Sequence, residues 1–446
     1  MAGGRGSRLE ILTKDRSKPS VSILGHYRIF DFVATNVQNT GISTMLIATQ
    51  FEPETLSMHI GNGEAWGFNS HTDNRLEILY PHEKGKNNIV TYDGTADSVR
   101  KNMDRIDRYD PYVILILGGD HVYNMNYTES IKFHIENDAD ITIMTNVVPE
   151  NKVSDFGIVS IDESCRIIDF AEKPTDYEII KRFKLPSKIK KLLKIEDPNL
   201  NYLASMGNYL FFWDRLKSIL NCKGNDFGKD IIPAMKENNL RLYAYVFDGY
   251  WRDVGRIIDY FDCNMDFVGK NKPIDFTKCK IKTNERKLPG PWIGTNTTLQ
   301  DVILSAGDII HDNCFIAKSV LGYQVTIDEG CQLNNCILLG ATKNEFHNNQ
   351  IRKQYTARVG KGSVLSHVII DKNVWIGERV NIGPHNGTPE ERKKLLQSAG
   401  LKPYRELPDG TFEGDFSIEP QRGILVIRKQ YNCDPKEPLL PDGLVA

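Results

Sequence analysis

The stretch VILSAGDIIHDNCFIAKSVLGYQVTIDEGCQLNNCILLGA, from Val302 to Ala341, repeats with a period of six. Ile303, Ile309, Phe315, Leu321, Ile327, Leu333 and Leu339 fall on one frame, and Val325, Cys331 and Ile337 on a second. Neither a helix, at ~3.6 residues per turn, nor a plain strand, at ~2.0, produces this spacing alone. A parallel β-helix does: each short flat face gives one inward apolar residue per six, with glycine or small residues at the corners. The alternative is a β-sandwich with coincidental spacing. After an interruption at Ala341 to Arg358 the frame resumes with Val364, Ile370, Ile376 and Ile382, shadowed by Val368, Val374 and Val380. The interruption carries Asn344, Glu345, His347, Asn348, Asn349 and Gln350 and reads as a projecting loop. The segment from Asn386 to about Phe416 is polar and reads as turn-rich, and Gly423 to Ile427 as one final rung. Docking against another chain would cover the exposed rungs of such a stack.

Upstream the texture differs. Ser43 to Thr49 and Tyr112 to Leu117 read as buried strands, the second running into Gly118-Gly119-Asp120-His121. A helical segment near Thr128 to Asn137 precedes a further strand at Ile141 to Met144. This alternation predicts a parallel α/β sheet, in which ligands sit at the carboxyl ends of strands, where Asp120 lies. A helix-like run from Ile257 to Phe267 leads into Gly269-Lys270-Asn271-Lys272-Pro273. The divisions read from the sequence are residues 1–268, a linker at 269–290, and the β-helix at 291–446.

Lysine and arginine total 56 against 58 aspartates and glutamates. With no basic excess, neither nucleic acid nor an anionic membrane is an expected partner, and bound phosphate must be met by a local cluster of charge. No apolar run approaches the ~18 residues of a membrane span, and no signal sequence opens the chain. Eight cysteines lie scattered without a CxxC pair, which leads us to expect buried apolar thiols in a reducing cytoplasm.

The chain opens with Ala2-Gly3-Gly4-Arg5-Gly6-Ser7-Arg8-Leu9. Glycines here let backbone N–H groups approach phosphate oxygens, while Arg8, Arg16 and Lys18 add fixed positive charge. No Gly-Lys-Ser/Thr follows, so this is not a Walker loop. The run GGRGSRLEILTKDRSKPSV, with YRIFDF after it, resembles the opening signature of nucleotide-sugar pyrophosphorylases. Gly94-Thr95-Ala96-Asp97, Gly118-Gly119-Asp120-His121, Phe156-Gly157, Glu172-Lys173-Pro174, Ala204-Ser205-Met206-Gly207, Asp226-Phe227-Gly228-Lys229-Asp230 and Trp251-Arg252-Asp253-Val254-Gly255 follow in that family's order. The set is similar to the glucose-1-phosphate adenylyltransferase branch. That resemblance implies a Rossmann-like α/β nucleotidyltransferase domain followed by a left-handed parallel β-helix of hexapeptide repeats. It also implies an apolar first strand before the glycine-rich loop, a strand missing from this sequence.

Such a reaction needs a phosphate oxygen, already ionised, to attack an α-phosphorus while pyrophosphate leaves in line. The protein's task is then positioning and charge cancellation. The resemblance implies ATP and glucose 1-phosphate as substrates, with ADP-glucose as product for glycogen- or starch-type synthesis. It implies Mg2+ held by Asp120 and Asp253, and Arg8 and Lys18 on the β- and γ-phosphates. Gly3, Gly4 and Gly6 would line the nucleotide, with Tyr92 and Gly94 close by. Lys173 would take the sugar phosphate, and Gly157, Glu172, Ser205 and Asp226 the sugar. A homotetramer, or pairing with a paralogue, is implied as the assembly. His26 and Asp93 stand where many relatives carry lysine and arginine, and an acidic Asp93 should weaken an anionic ligand beside it. Other readings are a non-catalytic regulatory subunit, a pyrophosphorylase for another nucleotide or sugar, and a hexapeptide-repeat acyltransferase, for which His311, His347 and His367 are the histidines to check.

Overall fold

Strands of alternating hydrophobicity and a stack of short rungs give the chain two units. One comprises residues 1–3, 32–50 and 61–251, the other residues 4–31, 51–60 and 252–446. The computed structural model describes residues 1–2, 4, 6–68, 74–81, 91–221, 224–342, 357–407, 412–428 and 438–446. Gly3, Cys222, Cys433, His347 and most of the interruption after Ala341 lie outside the described residues.

In the first unit, β1 (Thr44–Ala48) and β2 (Arg75–Leu79) pair in parallel. Beyond them come β3 (Val113–Ile116), β4 (Ile141–Pro149), β5 (Gly157–Ile161), β6 (Ile167–Glu172), β7 (Leu200–Phe212) and β8 (Leu242–Val246). These six form one sheet in the order β8-β4-β7-β5-β6, with β3 also on β7. The sheet is mixed where the sequence suggested a parallel one. Only β8 runs parallel to β4, while β7 is antiparallel to β3, β4 and β5. Its middle is a 13-residue strand long enough to pair with β5 at one end and β3 at the other. Ile141, Ile143, Leu203 and Phe211 are fully buried in its core. The opening residues bridge two strand ends: Ala2 N–H donates to Ala48 O, and Met1 O accepts from Gly119 N–H, each at 2.8 Å. Helices α1 (Thr95–Arg100) and α2 (Thr128–Glu136) belong to this unit.

The second unit carries the hexad region. Strands β9 (Trp292–Ile293), β10 (Thr298–Ile303), β11 (Ile309–Ile310), β12 (Phe315–Leu321), β13 (Val325–Ile327) and β14 (Gln332–Leu338) stack in parallel. After the interruption come β15 (Ala357–Val359), β16 (Val364–Ile370), β17 (Trp375–Ile376) and β18 (Asn381–Ile382). The parallel β-helix is therefore present, and β20 (Leu425–Ile427) adds the expected last rung against β16, flanked by antiparallel β19 (Phe416–Ile418). One coil takes 17 residues, not 18, as the Ser319 to Cys336 step shows. A strict period of six therefore slips by one position per coil. This is why Ile309 and Phe315 face solvent while their neighbours Ile310 and Ile316 are buried. The inward column instead runs Ile316, Leu333, Leu365, Ile382.

The corners also depart from expectation. Gly340 fits, since its φ is +78° and a Cβ there would lie 2.2 Å from Tyr323 O. Yet the corner column Asp301, Lys318, Asn335 and His367 is left-handed at every level, with φ from 44° to 55° and no glycine. The unfavourable local conformation, of order 1–3 kcal/mol per residue, is held by the hydrogen-bonded rungs on either side. A missed element is α4 (Pro389–Ser398), in the tail read as turns. Its signal was present: Thr388 and Glu391 form a capping box around a proline at the first helical positions.

Residues 4–31 pack with this second unit. Arg16 forms a buried bidentate pair with Asp371, both contacts 2.8 Å, and Leu24 N–H donates to the Asn264 carboxamide on α3 (Ile257–Asp266). Asp371→Ala should lower unfolding stability by about 3–5 kcal/mol because it leaves a buried guanidinium unpaired. Joint replacement by Arg16→Met and Asp371→Leu should recover most of that loss, read as urea midpoints of the full chain.

Candidate active site

In the first unit, the strand-end turn after β3 presents Asp120. Gly118 N–H donates to Asn208 Oδ1 at 3.1 Å, and Asn208 is fully buried on β7. That amide fixes the backbone leading into Asp120, whose carboxylate is one-third exposed. His121 follows, with its ring edge-on to Trp251 at 5.5 Å. Asn208 was not singled out from sequence, although a carboxamide inside the apolar run of β7 was a signal.

A second group gathers around Glu172 at the end of β6. A Cβ on Gly157 or on Gly228 would come within 2.6 Å of Glu172 Oε2, so two glycines make room for this carboxylate. Glu172 accepts no hydrogen bond from the described residues, and burial pushes its carboxyl pKa up. Its nearest cation is Lys173 Nζ at 4.0 Å, on a half-exposed side chain. Lys173 itself is left-handed, with φ of 45°, although Pro174 follows and favours an extended predecessor. The Lys173 N–H bond to Phe156 O, at 3.0 Å, holds that conformation. A carboxylate with open lone pairs beside an accessible ammonium suits a hydroxylated anion.

Asp226 acts as a cap. Its Oδ1 accepts from the N–H groups of Gly228 and Lys229, and Oδ2 from Thr95 Oγ1 at 3.1 Å. Phe227 N–H donates back to Thr95 Oγ1, and Ala96 and Asp97 donate to Asn225 O. The segment after Gly94 is thereby tied to the one opening with Asp226. A Cβ on Gly94 would meet Asn225 O at 2.3 Å, so that junction requires glycine. Thr95 and Asn225 make this junction and were not foreseen. Tyr92 donates its N–H to Gln50 Oε1 at 2.6 Å, and its hydroxyl accepts from Asn102 Nδ2. Asp93, the acidic departure, lies 3.5 Å from Lys101 Nζ. Ser205 lies at a register shift of β7, where its hydroxyl accepts from Gly207 N–H. Such bulges re-aim side chains beside active sites.

In the second unit, Gly6 is left-handed at φ of 64° and its carbonyl accepts from Leu9 N–H and Thr13 Oγ1. Gly4 is exposed, and a Cβ there would meet nothing. Lys18 is buried, with Nζ 2.7 Å from Asp253 Oδ1. Arg8 joins them: a Cβ on Gly255 would lie 3.0 Å from Asp253 Oδ2 and 3.2 Å from Arg8 Nη2. Asp253, Lys18, Arg8 and the backbone of Gly6 thus lie close together in this unit. Arg16 is turned instead to Asp371, and Arg252 to Asp266 at 2.6 Å. Of the β-helix histidines, His311 lies edge-on to Trp292 and His367 stacks on Phe261.

Residues 1–269 match the nucleotidyl transferase family, and residues 286–398 match the GLGC left-handed parallel beta-helix domain. The chain is 34% identical to the glucose-1-phosphate adenylyltransferase of Acetivibrio thermocellus over 421 residues, covering 92% of this chain and 89% of that one. It is 37% identical to that of Clostridioides difficile over 350 residues, covering 76% and 83%. With that of Bacillus cereus the identity is 31% over 401 residues, covering 87% and 95%. The nucleotidyl transferase match, the GLGC β-helix match that follows it and similarity along most of both chains place this protein in the glucose-1-phosphate adenylyltransferase family of nucleotidyl transferases.

Proposed function

We propose that the protein transfers the adenylyl group of ATP to α-glucose 1-phosphate, releasing pyrophosphate and forming ADP-glucose for α-glucan synthesis. Beside the family membership, the observation that carries this reading is the Glu172 and Lys173 pair. The carboxylate is cradled by two glycines and accepts no hydrogen bond from the described residues, and the ammonium beside it is accessible. Glu172 can take sugar hydroxyls while Lys173 takes the phosphate, with Gly157 leaving room and Ser205 and Asp226 adding polar contacts.

An oxygen of the sugar phosphate attacks the α-phosphorus, and the bond from that phosphorus to the bridging α,β-oxygen breaks. Arg8 and Lys18 would bind and orient the β- and γ-phosphates, the loop at Gly4 and Gly6 would present backbone N–H groups, and Tyr92 and Gly94 would flank the nucleotide. Asp120 and Asp253 are hard oxygen donors that fit Mg2+ and would hold it. Bound there, the ion would offset phosphate charge. Lys18 meanwhile keeps the largely buried Asp253 carboxylate paired.

No disulfide joins the six described cysteines to one another, and no described helix is long and apolar enough to cross a membrane. Trp292, Ile293, Ile309 and Phe315 are exposed on the first coils and favour a homo-oligomer, for which we propose a tetramer.

Purified protein with ATP, glucose 1-phosphate and Mg2+ should release pyrophosphate, and UTP, dTTP or mannose 1-phosphate should do so much more slowly. Absence of release would reject the enzyme reading. Asp120→Asn should cut kcat by about 10²–10³ or more with the fold intact by circular dichroism. Lys173→Ala should raise KM for glucose 1-phosphate by roughly 10–100-fold while KM for ATP changes little, and equal increases would refute its role. Gly157→Ala should likewise raise the sugar-phosphate KM, because its Cβ would fall 2.6 Å from the Glu172 carboxylate.

A further inference from the structure

Between Pro174 and Ala204 runs a stretch that nucleotidyl transfer does not use. From Ile179 to Ile195 it reads IIKRFKLPSKIKKLLKI, with seven cations and no acid. The whole chain carries −2 and this stretch +7, so the remaining residues carry −9. Overall balance thus conceals a local excess, and the composition argument against an anionic partner does not reach this surface.

Two short helices of the first unit, Tyr177–Arg182 and Ser187–Leu192, carry the stretch. Phe183, Leu185 and Ile189 are buried, and Ile180, Leu193 and Ile195 pack against the cores beneath. The apolar side is therefore used inward and the charges are left outside: every cation of the stretch is exposed except the half-buried Lys190. Lys188 pairs with Glu163, and Lys190 donates to Asn201 Oδ1 at 3.1 Å. Lys181, Arg182, Lys184, Lys191 and Lys194 form no ion pair among the described residues.

The fold does not require this charge. A cation in the last turn favours a helix dipole, which accounts for Lys181 and Arg182 in one helix and for Lys190 and Lys191 in the other. Lys184 instead precedes the second helix, where a cation opposes the dipole, and Lys194 lies beyond its end. Lys188 and Lys191, three residues apart on that helix, repel one another. Along the same two helices Tyr177, Ile179 and Leu192 are 60%, 38% and 52% exposed, so large apolar side chains stand among the cations.

We propose that these two helices form a docking surface for an anionic lipid bilayer. The unpaired cations meet acidic headgroups, each strengthening the association about fivefold. Ile179, Leu192 and Tyr177 enter the interfacial region, a gain that only a partner with an apolar layer supplies. A nucleic acid would use the charges but not the two aliphatic side chains, and Tyr177 alone is no stacking platform.

Co-sedimentation of the full chain with vesicles of phosphatidylcholine, alone or with phosphatidylglycerol at about one part in three, tests this. The native protein should sediment with the mixed vesicles at low salt, be released by high salt, and stay in solution with phosphatidylcholine alone. Lys184→Gln, Lys191→Gln and Lys194→Gln combined, all at exposed positions, should lower the partition coefficient about 10²-fold while circular dichroism stays native. Leu192→Gln, which keeps the charge, should lower it at least about threefold. Poly-L-glutamate separates the lipid from an acidic polypeptide. If it binds the native protein as tightly as the mixed vesicles do, and Leu192→Gln changes neither, the partner is an acidic protein and the proposal falls. No sedimentation of the native chain, equal partition into both kinds of vesicle, or a triple variant that partitions like the native chain would overturn it as well.

Discussion

The ion pair between Lys18 and Asp253 joins residues 235 positions apart and sets the place of the glycine-rich opening. A buried ammonium must be answered by a carboxylate, so the segment around Lys18 cannot settle where none is offered. Arg16, two residues earlier, obeys the same constraint with Asp371, 355 positions away. Together the two pairs explain why residues 4–31 pack with the β-helix unit rather than with the sheet that their position at the start of the chain suggests. The rungs thereby serve as scaffold for the loop proposed to meet phosphate.

Glycine works differently around Glu172. At Gly157 and Gly228 the missing side chains leave space that the Glu172 carboxylate fills. At Gly94 the missing Cβ lets the Asn225 carbonyl approach and accept the N–H groups of Ala96 and Asp97. Asp226 shows how one carboxylate can have two functions, because three hydrogen bonds from Gly228, Lys229 and Thr95 leave lone-pair capacity for a ligand. The cap orients the group that the proposed sugar would meet.

Much of this was legible in the sequence. The hexads announced the β-helix because inward residues must be apolar at every coil, and the strand-end Asp120 followed from the apolar run before it. The Glu172, Lys173 and Asp253 motifs were legible through resemblance, not through any local physical rule. What escaped depended on partners distant in sequence. The 17-residue coil emerges only when rungs are stacked, and a frame of six then misplaces Ile309 and Phe315 by one position. Arg16 reads in the sequence as one more phosphate-binding cation, because its partner Asp371 lies 355 positions away. The antiparallel pairing of β7 had no local signature, since an apolar run reads alike in either direction. The capping box of α4, by contrast, is a local signal carried by Thr388 and Glu391 within a polar stretch.

The step between paired rungs is 17 residues at most levels but 32 across segment 343–356, as the contact of Glu329 with Lys361 shows. Gln332 nonetheless faces Val364 in the same parallel register as the levels above and below. The paired rungs therefore keep their register across a longer connection. In such an architecture, insertion and deletion at corners are nearly neutral for folding. New surface can be acquired there over evolutionary time while the stacked interior keeps its geometry.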